Sequence, residues 1–148
     1  MEVELLVKLV VPDATANTAM RCLQQMGFAL PSLVRQDYYS FTIAEGASFD
    51  TFAKKIQRVD VLANANKHRS WVKQKQDVFE GDKTNIIVEE TNQNNEGMVA
   101  LLHRLGVSEV ISMTKGTLWT FPAEKQQAIK MTEALLMNKH YQNYRVLG

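Results

Sequence analysis

Cysteine is almost missing from this chain: Cys22 is the only one in 148 residues. That excludes an intrachain disulfide and fits a reducing compartment. Recognisable catalytic motifs are missing too. There is no Gly-rich dinucleotide fingerprint, no phosphate loop ending in Gly-Lys-Ser/Thr and no His-Glu-x-x-His metal motif. No apolar run is long enough to span a bilayer, and the acidic start Met1-Glu2-Val3-Glu4 is unlike the basic start of a signal peptide, so a cytoplasmic location is expected. Nor does one sign of charge dominate. A net charge of +1 lacks the electrostatic footprint of a general nucleic-acid binder, so no nucleic-acid or membrane partner is expected.

What is present is apolar pattern. With 45% hydrophobic and 22% charged residues the chain can bury a real core, as one compact domain or two small fused halves. One stretch occurs twice. Ala19, Cys22, Leu23 and Met26 stand at i, i+3, i+4 and i+7 before Gly27; Met98, Leu101, Leu102 and Leu105 repeat the spacing before Gly106. This spacing predicts two helices with one buried face, each stopped by a glycine in the left-handed region. Cys22 is then a packed, inert thiol.

The surrounding segments repeat in order. Residues 2–10 alternate as a strand, and Asp13 or Thr15 can cap the first striped helix. Residues 33–35 and 38–43 read as two strands joined by a Gln36-Asp37 hairpin turn. Ser48 caps a second helix carrying Phe49, Phe52, Ala53, Ile56 and Val59 and running on to about Asn64; residues 67–72 form a short strand. Residues 76–83, with Gly81 among charges, are a joint. The second half follows with a strand at 85–90, the second striped helix, strands at 109–113 and 117–121 joined by Thr114-Lys115-Gly116, a helix with Pro122 as its first residue and a strand at 141–147. The fold expected is α+β: a tandem duplication of a ferredoxin-like β-α-β-β-α-β unit, with antiparallel sheet, helices and a pseudo-two-fold axis. The halves are 1–75 and 84–148, aligned through Gly27 with Gly106, Phe41 with Trp119 and Leu62 with Leu136.

Chemistry-bearing residues are scattered. His68, His103 and His140 fall in different elements without close-spaced partners, and no pair of carboxylates stands out as acid and base. No catalytic residue, metal ligand or cofactor site is therefore assigned. Lys54, Lys55, Arg58, Lys67, His68, Arg69, Lys73 and Lys75 form the densest charge cluster, read either as a solvated face or as a docking surface for an acidic partner, phosphate or nucleic acid. Tyr38, Tyr39 and Phe41 lie in a run without glycine, unlike the RNA-recognition module, and fit an alternating sheet.

The second half, from Asn95-Glu96-Gly97-Met98 through Leu105-Gly106, Val110 to Lys115-Gly116 and Thr117 to Phe121, resembles PurS, the small subunit of phosphoribosylformylglycinamidine synthase. Leu135-Leu136-Met137-Asn138 before the last strand resembles that family's Leu-Leu-x-Asn-like motif, and Val61-Leu62-Ala63-Asn64 echoes it in the first half. Lys115-Gly116 reverses the family's Gly-Lys order. The family member is about half this length and dimeric, so the chain resembles a fused pair. The resemblance implies a non-catalytic assembly subunit in purine biosynthesis, bridging a PurL-like synthetase and a PurQ-like glutaminase, with the ligase chemistry in the partners. Tethering two halves supplies an effective concentration of the order of mM, so a monomeric pseudo-dimer is expected. The candidate partner-binding residues are the exposed turns and helix ends: Arg35, Asp37, Asn64, Lys115, Gly116 and Asn138. The alternatives are an ACT-like module that binds a small ligand, or a small αβ-sandwich enzyme.

Overall fold

The computed structural model describes residues 1–75 and 83–147; the joint proposed at 76–83 lies, but for Lys83, outside them. The chain runs β1 (Glu2–Leu9), α1 (Ala14–Gln25), β2 (Val34–Ile43), α2 (Phe49–Ile56), β3 (His68–Gln74), β4 (Thr84–Glu90), α3 (Glu96–Arg104), β5 (Val110–Phe121), α4 (Lys125–Met131), a π-turn (Thr132–Leu136) and β6 (Gln142–Leu147). The fold is α+β, with a six-stranded antiparallel sheet in the order β3-β1-β2-β5-β4-β6. None of the described helices is long and apolar enough to cross a membrane.

Neither expected hairpin exists. Residues 34–43 form one strand and residues 110–121 another, so each half of the sequence supplies three strands where four were expected. The turn at Gln36-Asp37 fails because neither residue takes a positive φ, as is true of every described non-glycine residue. Gly116 was read as a turn glycine, yet its φ is not positive. A Cβ there would lie 2.6 Å from the Val88 carbonyl oxygen and 2.8 Å from Glu89 Cγ, so glycine is needed because strand β4 presses against it.

The two expected turns nevertheless mark real boundaries. Two compact units are present, one made of Met1–Val11, Asp37–Asp77 and Gln93–Lys115, the other of Pro12–Gln36, Val78–Asn92 and Gly116–Gly148. The divisions at 36/37 and 115/116 coincide with the proposed turn dipeptides. In place of a reversal, one strand spans each division, and its two ends belong to different units. Each unit thus holds segments from both halves of the sequence. The first has strands ordered β3-β1-β2-β5 with α2 and α3; the second has β2-β5-β4-β6 with α1 and α4. Four antiparallel strands and two helices are compatible with a ferredoxin-like arrangement.

Each unit has its own core. In the first, Val3, Leu5 and Val7 meet Phe41, Ile43, Phe52, Ile56, Leu102 and Val110, and the rings of Phe41 and Phe52 pack edge to face at 5.6 Å. In the second, Ile86 and Val88 meet Trp119, Phe121, Ala128, Met131, Ala16 and Leu23. The striped helices bury less than their pattern predicts. Leu23 and Leu102 are fully buried, while Met26 and Leu105 stand 53% and 54% exposed. Each ends a helix by the same hydrogen bonds: Gly27 N–H to Gln24 O and Phe28 N–H to Leu23 O, matched by Gly106 to His103 and Val107 to Leu102. The positive φ of Gly27 (98°) and Gly106 (91°) makes this closure possible. The faces that pack are Ala16, Ala19, Met20 and Leu23 in α1 and Met98, Val99 and Leu102 in α3, which leaves Met26 and Leu105 outside the core.

Candidate functional site

The second unit carries a cleft of about 520 Å³, lined by Ala14, Thr15, Thr18, Ala19 and Cys22 of α1 and by Trp119, Leu135 and Leu136. Its volume falls in the range of ligand pockets. The wall formed by α1 is held from its first turn. Asp13 caps the helix by accepting the Ala16 N–H at 3.1 Å, and Arg35 of β2 grips the same carboxylate through Nε (2.9 Å) and Nη2 (3.1 Å). Burial raises the Asp13 pKa, but the hydrogen bonds from Arg35 and Ala16, the Arg35 charge and the Thr15 N–H outweigh it, and the carboxyl lies below its ordinary value. Ala16 and Leu23 face the core, which leaves the flank with Thr15, Thr18 and Cys22 to the cleft. Cys22 is therefore half-buried beside a cleft, not a packed core thiol.

The opposite wall is the π-turn. The Thr132 hydroxyl donates to the Ala128 carbonyl at 2.9 Å, and the helix widens there by one residue per turn, which brings Leu135 out to 40% exposure while Thr132 stays buried. A polar hollow of about 530 Å³ adjoins it, with Glu133, Met137, Asn138, Lys139, His140 and Gln142 in its lining. The Tyr144 hydroxyl donates to Glu133 at 3.0 Å; this bond, with burial and the Glu133 charge, raises the Tyr144 pKa. In the first unit a smaller hollow of about 390 Å³ lies between α3 and β5. His103 on its rim has Nε2 2.7 Å from the Val110 carbonyl, to which it donates, as a helix-surface histidine does. Among the described residues no three of His, Cys, Asp and Glu cluster as a metal site.

The six residues proposed from sequence do not converge. Arg35 is the clamp on Asp13 and lies at the start of strand β2. Asp37 is exposed on β2 opposite Val7; burial, and then its charge, raises the pKa of Tyr39. Lys115 is exposed, its backbone clasped by Gln93, whose amide donates to the Lys115 carbonyl and accepts its N–H, both at 2.9 Å. Gly116 fits against β4, as described. Asn138 lines the polar hollow, the one member of the six found in these clefts.

Asn64 and Asn138 build the same turn. Each Oδ1 accepts the N–H two residues on, each carbonyl accepts those three and four residues on, and each N–H is donated to a side chain four residues on, His68 Nδ1 at 3.1 Å and Gln142 Oε1 at 2.8 Å. Three residues before each lies an exposed apolar side chain, Val61 (55%) or Leu135. The register agrees: Val10 N–H donates to Lys67 O in one unit and Thr91 N–H to Tyr141 O in the other. The rungs that follow set Phe41 opposite Val3 and Phe121 opposite Thr84, so Phe41 corresponds to Phe121 and not to Trp119.

The Asp13–Arg35 clamp and the cleft were missed by sequence reasoning. Asp13 as a cap was a usable signal, and Thr15 and Thr18, spaced i, i+3, marked a polar flank. The π-turn has no signal in its residues. No family model matches the chain, and no curated protein matches it.

Proposed function

We propose that this chain is a non-catalytic assembly subunit of a phosphoribosylformylglycinamidine synthase complex, a PurS-like tandem that bridges synthetase and glutaminase subunits. The observation that carries the reading is the recurrence of exposed apolar side chains at matching places of two similarly ordered units: Met26 with Leu105 before the helix-ending glycines, and Val61 with Leu135 before the asparagine turns. Each sits beside a rigid, hydrogen-bonded turn, where it adds nothing to a core and offers an anchor to a partner. The repeated helix ends, asparagine turns and register support the idea that the chain arose by tandem duplication, each half lending its first helix to the other unit. A pseudo-dimer with non-identical surfaces suits a bridge between two different subunits, since the two halves carry ten Lys and Arg against seven Asp and Glu in residues 1–75 and seven against nine in 76–148.

The test is a pull-down of purified synthetase and glutaminase subunits by this chain and by Met26→Asp, Leu105→Asp, Val61→Asp and Leu135→Asp. On this reading the variants melt near the wild-type temperature and lose one or both partners. Full retention of both partners by all four would remove these anchors.

The cleft against α1 favours a second reading, an ACT-like module that takes a small ligand. A ligand that raises the melting temperature, with the rise abolished by Thr18→Leu at the cleft wall, would support it.

A further inference from the structure

The first unit carries an unneutralised cationic patch built around an exposed indole. On β3, Arg69, Trp71 and Lys73 share one face of the sheet, at steps of about 6.8 Å. Across the ladder, Lys8 stands opposite Arg69, Leu6 opposite Trp71 and Glu4 opposite Lys73. The charges are unevenly spread along this face. Acids lie at one end, where Glu4 is buried and Glu2 pairs with Lys75 at 3.3 Å. At the other end Lys8 and Arg69 are exposed and have no ion-pair partner among the described residues; Lys67, also exposed, continues the row. Between these cations and the acidic end Trp71 is 47% exposed, while Leu6 and Tyr38 on the same rung are buried and back it with apolar surface.

The corresponding rungs of the second unit are filled differently. Glu89 stands opposite Asn143, and Ile87 opposite Arg145. There Arg145 stands where Trp71 does, and its Nε donates to Glu89 at 3.0 Å, so the charges at these equivalent positions neutralise each other. The patch is thus a property of the first unit's residues and not of the shared backbone.

We infer that this face, Lys8, Arg69 and Trp71, is a binding site for a nucleotide, with the base stacked on the Trp71 indole and the phosphate held between Lys8 and Arg69. An acidic protein segment would use the cations but gain little from the indole, and exposed ion pairs alone are weak. A ligand with both a π face and a phosphate uses every exposed group of the patch. A free mononucleotide and a short single strand share this chemistry.

The test is titration of the full chain with AMP, a dT decamer, inorganic phosphate and polyglutamate, followed by tryptophan emission and calorimetry. Trp71 is the reporter, since Trp119 is only 6% exposed. The inference expects saturable quenching by AMP or the decamer that weakens with salt. Stacking of one base predicts that Trp71→Leu weakens binding by at least about fivefold. Lys8→Ala with Arg69→Ala should weaken it further and flatten the salt dependence, with the melting temperature near wild type. AMP binding as tightly as the decamer identifies a mononucleotide site, and tighter decamer binding identifies a single strand. The inference is overturned if neither probe binds, if binding survives these substitutions, or if polyglutamate or phosphate binds as tightly as both nucleotides.

Discussion

Gly116 shows how one residue can carry a signal that points the wrong way. Read beside Lys115 it suggests a reversal, because glycine favours turns. Its cause is the Val88 carbonyl, which leaves no room for a side chain. Close backbone approach from a strand 28 residues earlier leaves no local mark in a sequence. Gly116→Ala should destabilise the fold by about 1–3 kcal/mol, measured by denaturant unfolding, because the ladder between β4 and β5 must give way. Asp13 was legible as a cap, and its second role as the anchor of Arg35 was not, since the pair is separated by 22 residues. The lowered pKa of its carboxyl means that the unfolded chain takes up the proton first as pH falls. The stability this group contributes is whole above about pH 4, the ordinary range for Asp, and is lost as pH drops through the lower folded value. Asp13→Asn keeps a competent cap. It should be less stable than wild type at neutral pH, with the gap closing in thermal melts as the pH falls below about 4.

At the scale of elements, helices were the most legible because their causes are local. Ser48 caps α2 by accepting the Thr51 N–H at 3.3 Å, and Gly27 and Gly106 end α1 and α3 where the apolar stripes stop. The stripes overstate burial, since the packed face runs through Ala16, Ala19, Met20 and Leu23 in α1 and through Met98, Val99 and Leu102 in α3, one turn short of Met26 and Leu105. The hairpins failed for a different reason. Two β-prone runs separated by two residues fit either a reversal or a straight strand, and the choice is made by the strands alongside. Each long strand here pairs over at least half of its length with one neighbour, β2 with β1 from Asp37 to Thr42 and β5 with β4 from Gly116 to Phe121. Substituting Gln36-Asp37 by Asn-Gly offers the chain a favourable tight turn. If neighbouring strands hold β2 straight, the variant keeps the wild-type circular dichroism spectrum and loses about 1 kcal/mol, the cost of glycine within a strand. A changed spectrum or altered oligomeric state would show that residues 36–37 choose the path themselves.

For the molecule as a whole, matching helix ends and asparagine turns were legible in the helix stripes and the asparagines, while the sharing of both units between the two halves of the sequence was not. A stripe says which face is buried, and nothing in it says against which half. Because each compact unit draws on both halves, fragments 1–75 and 84–148 should each lack a cooperative melt as monomers, and mixing them should restore one. Independent folding of either fragment as a monomer would contradict this. The candidate site was the least legible part. Six turn and helix-end residues were proposed, and two of them, Arg35 and Gly116, serve the fold through contacts distant in sequence, while the cleft of α1 and the cationic face of β3 depend on which strands and helices meet. The central claim is that the chain acts by assembly, and the most direct measurement is light scattering coupled to size exclusion on this chain mixed with synthetase and glutaminase subunits. The account predicts a complex containing all three, which falls apart into separate subunits when this chain is omitted. Elution of this chain at its own mass beside a synthetase–glutaminase complex that forms equally well without it would contradict the account.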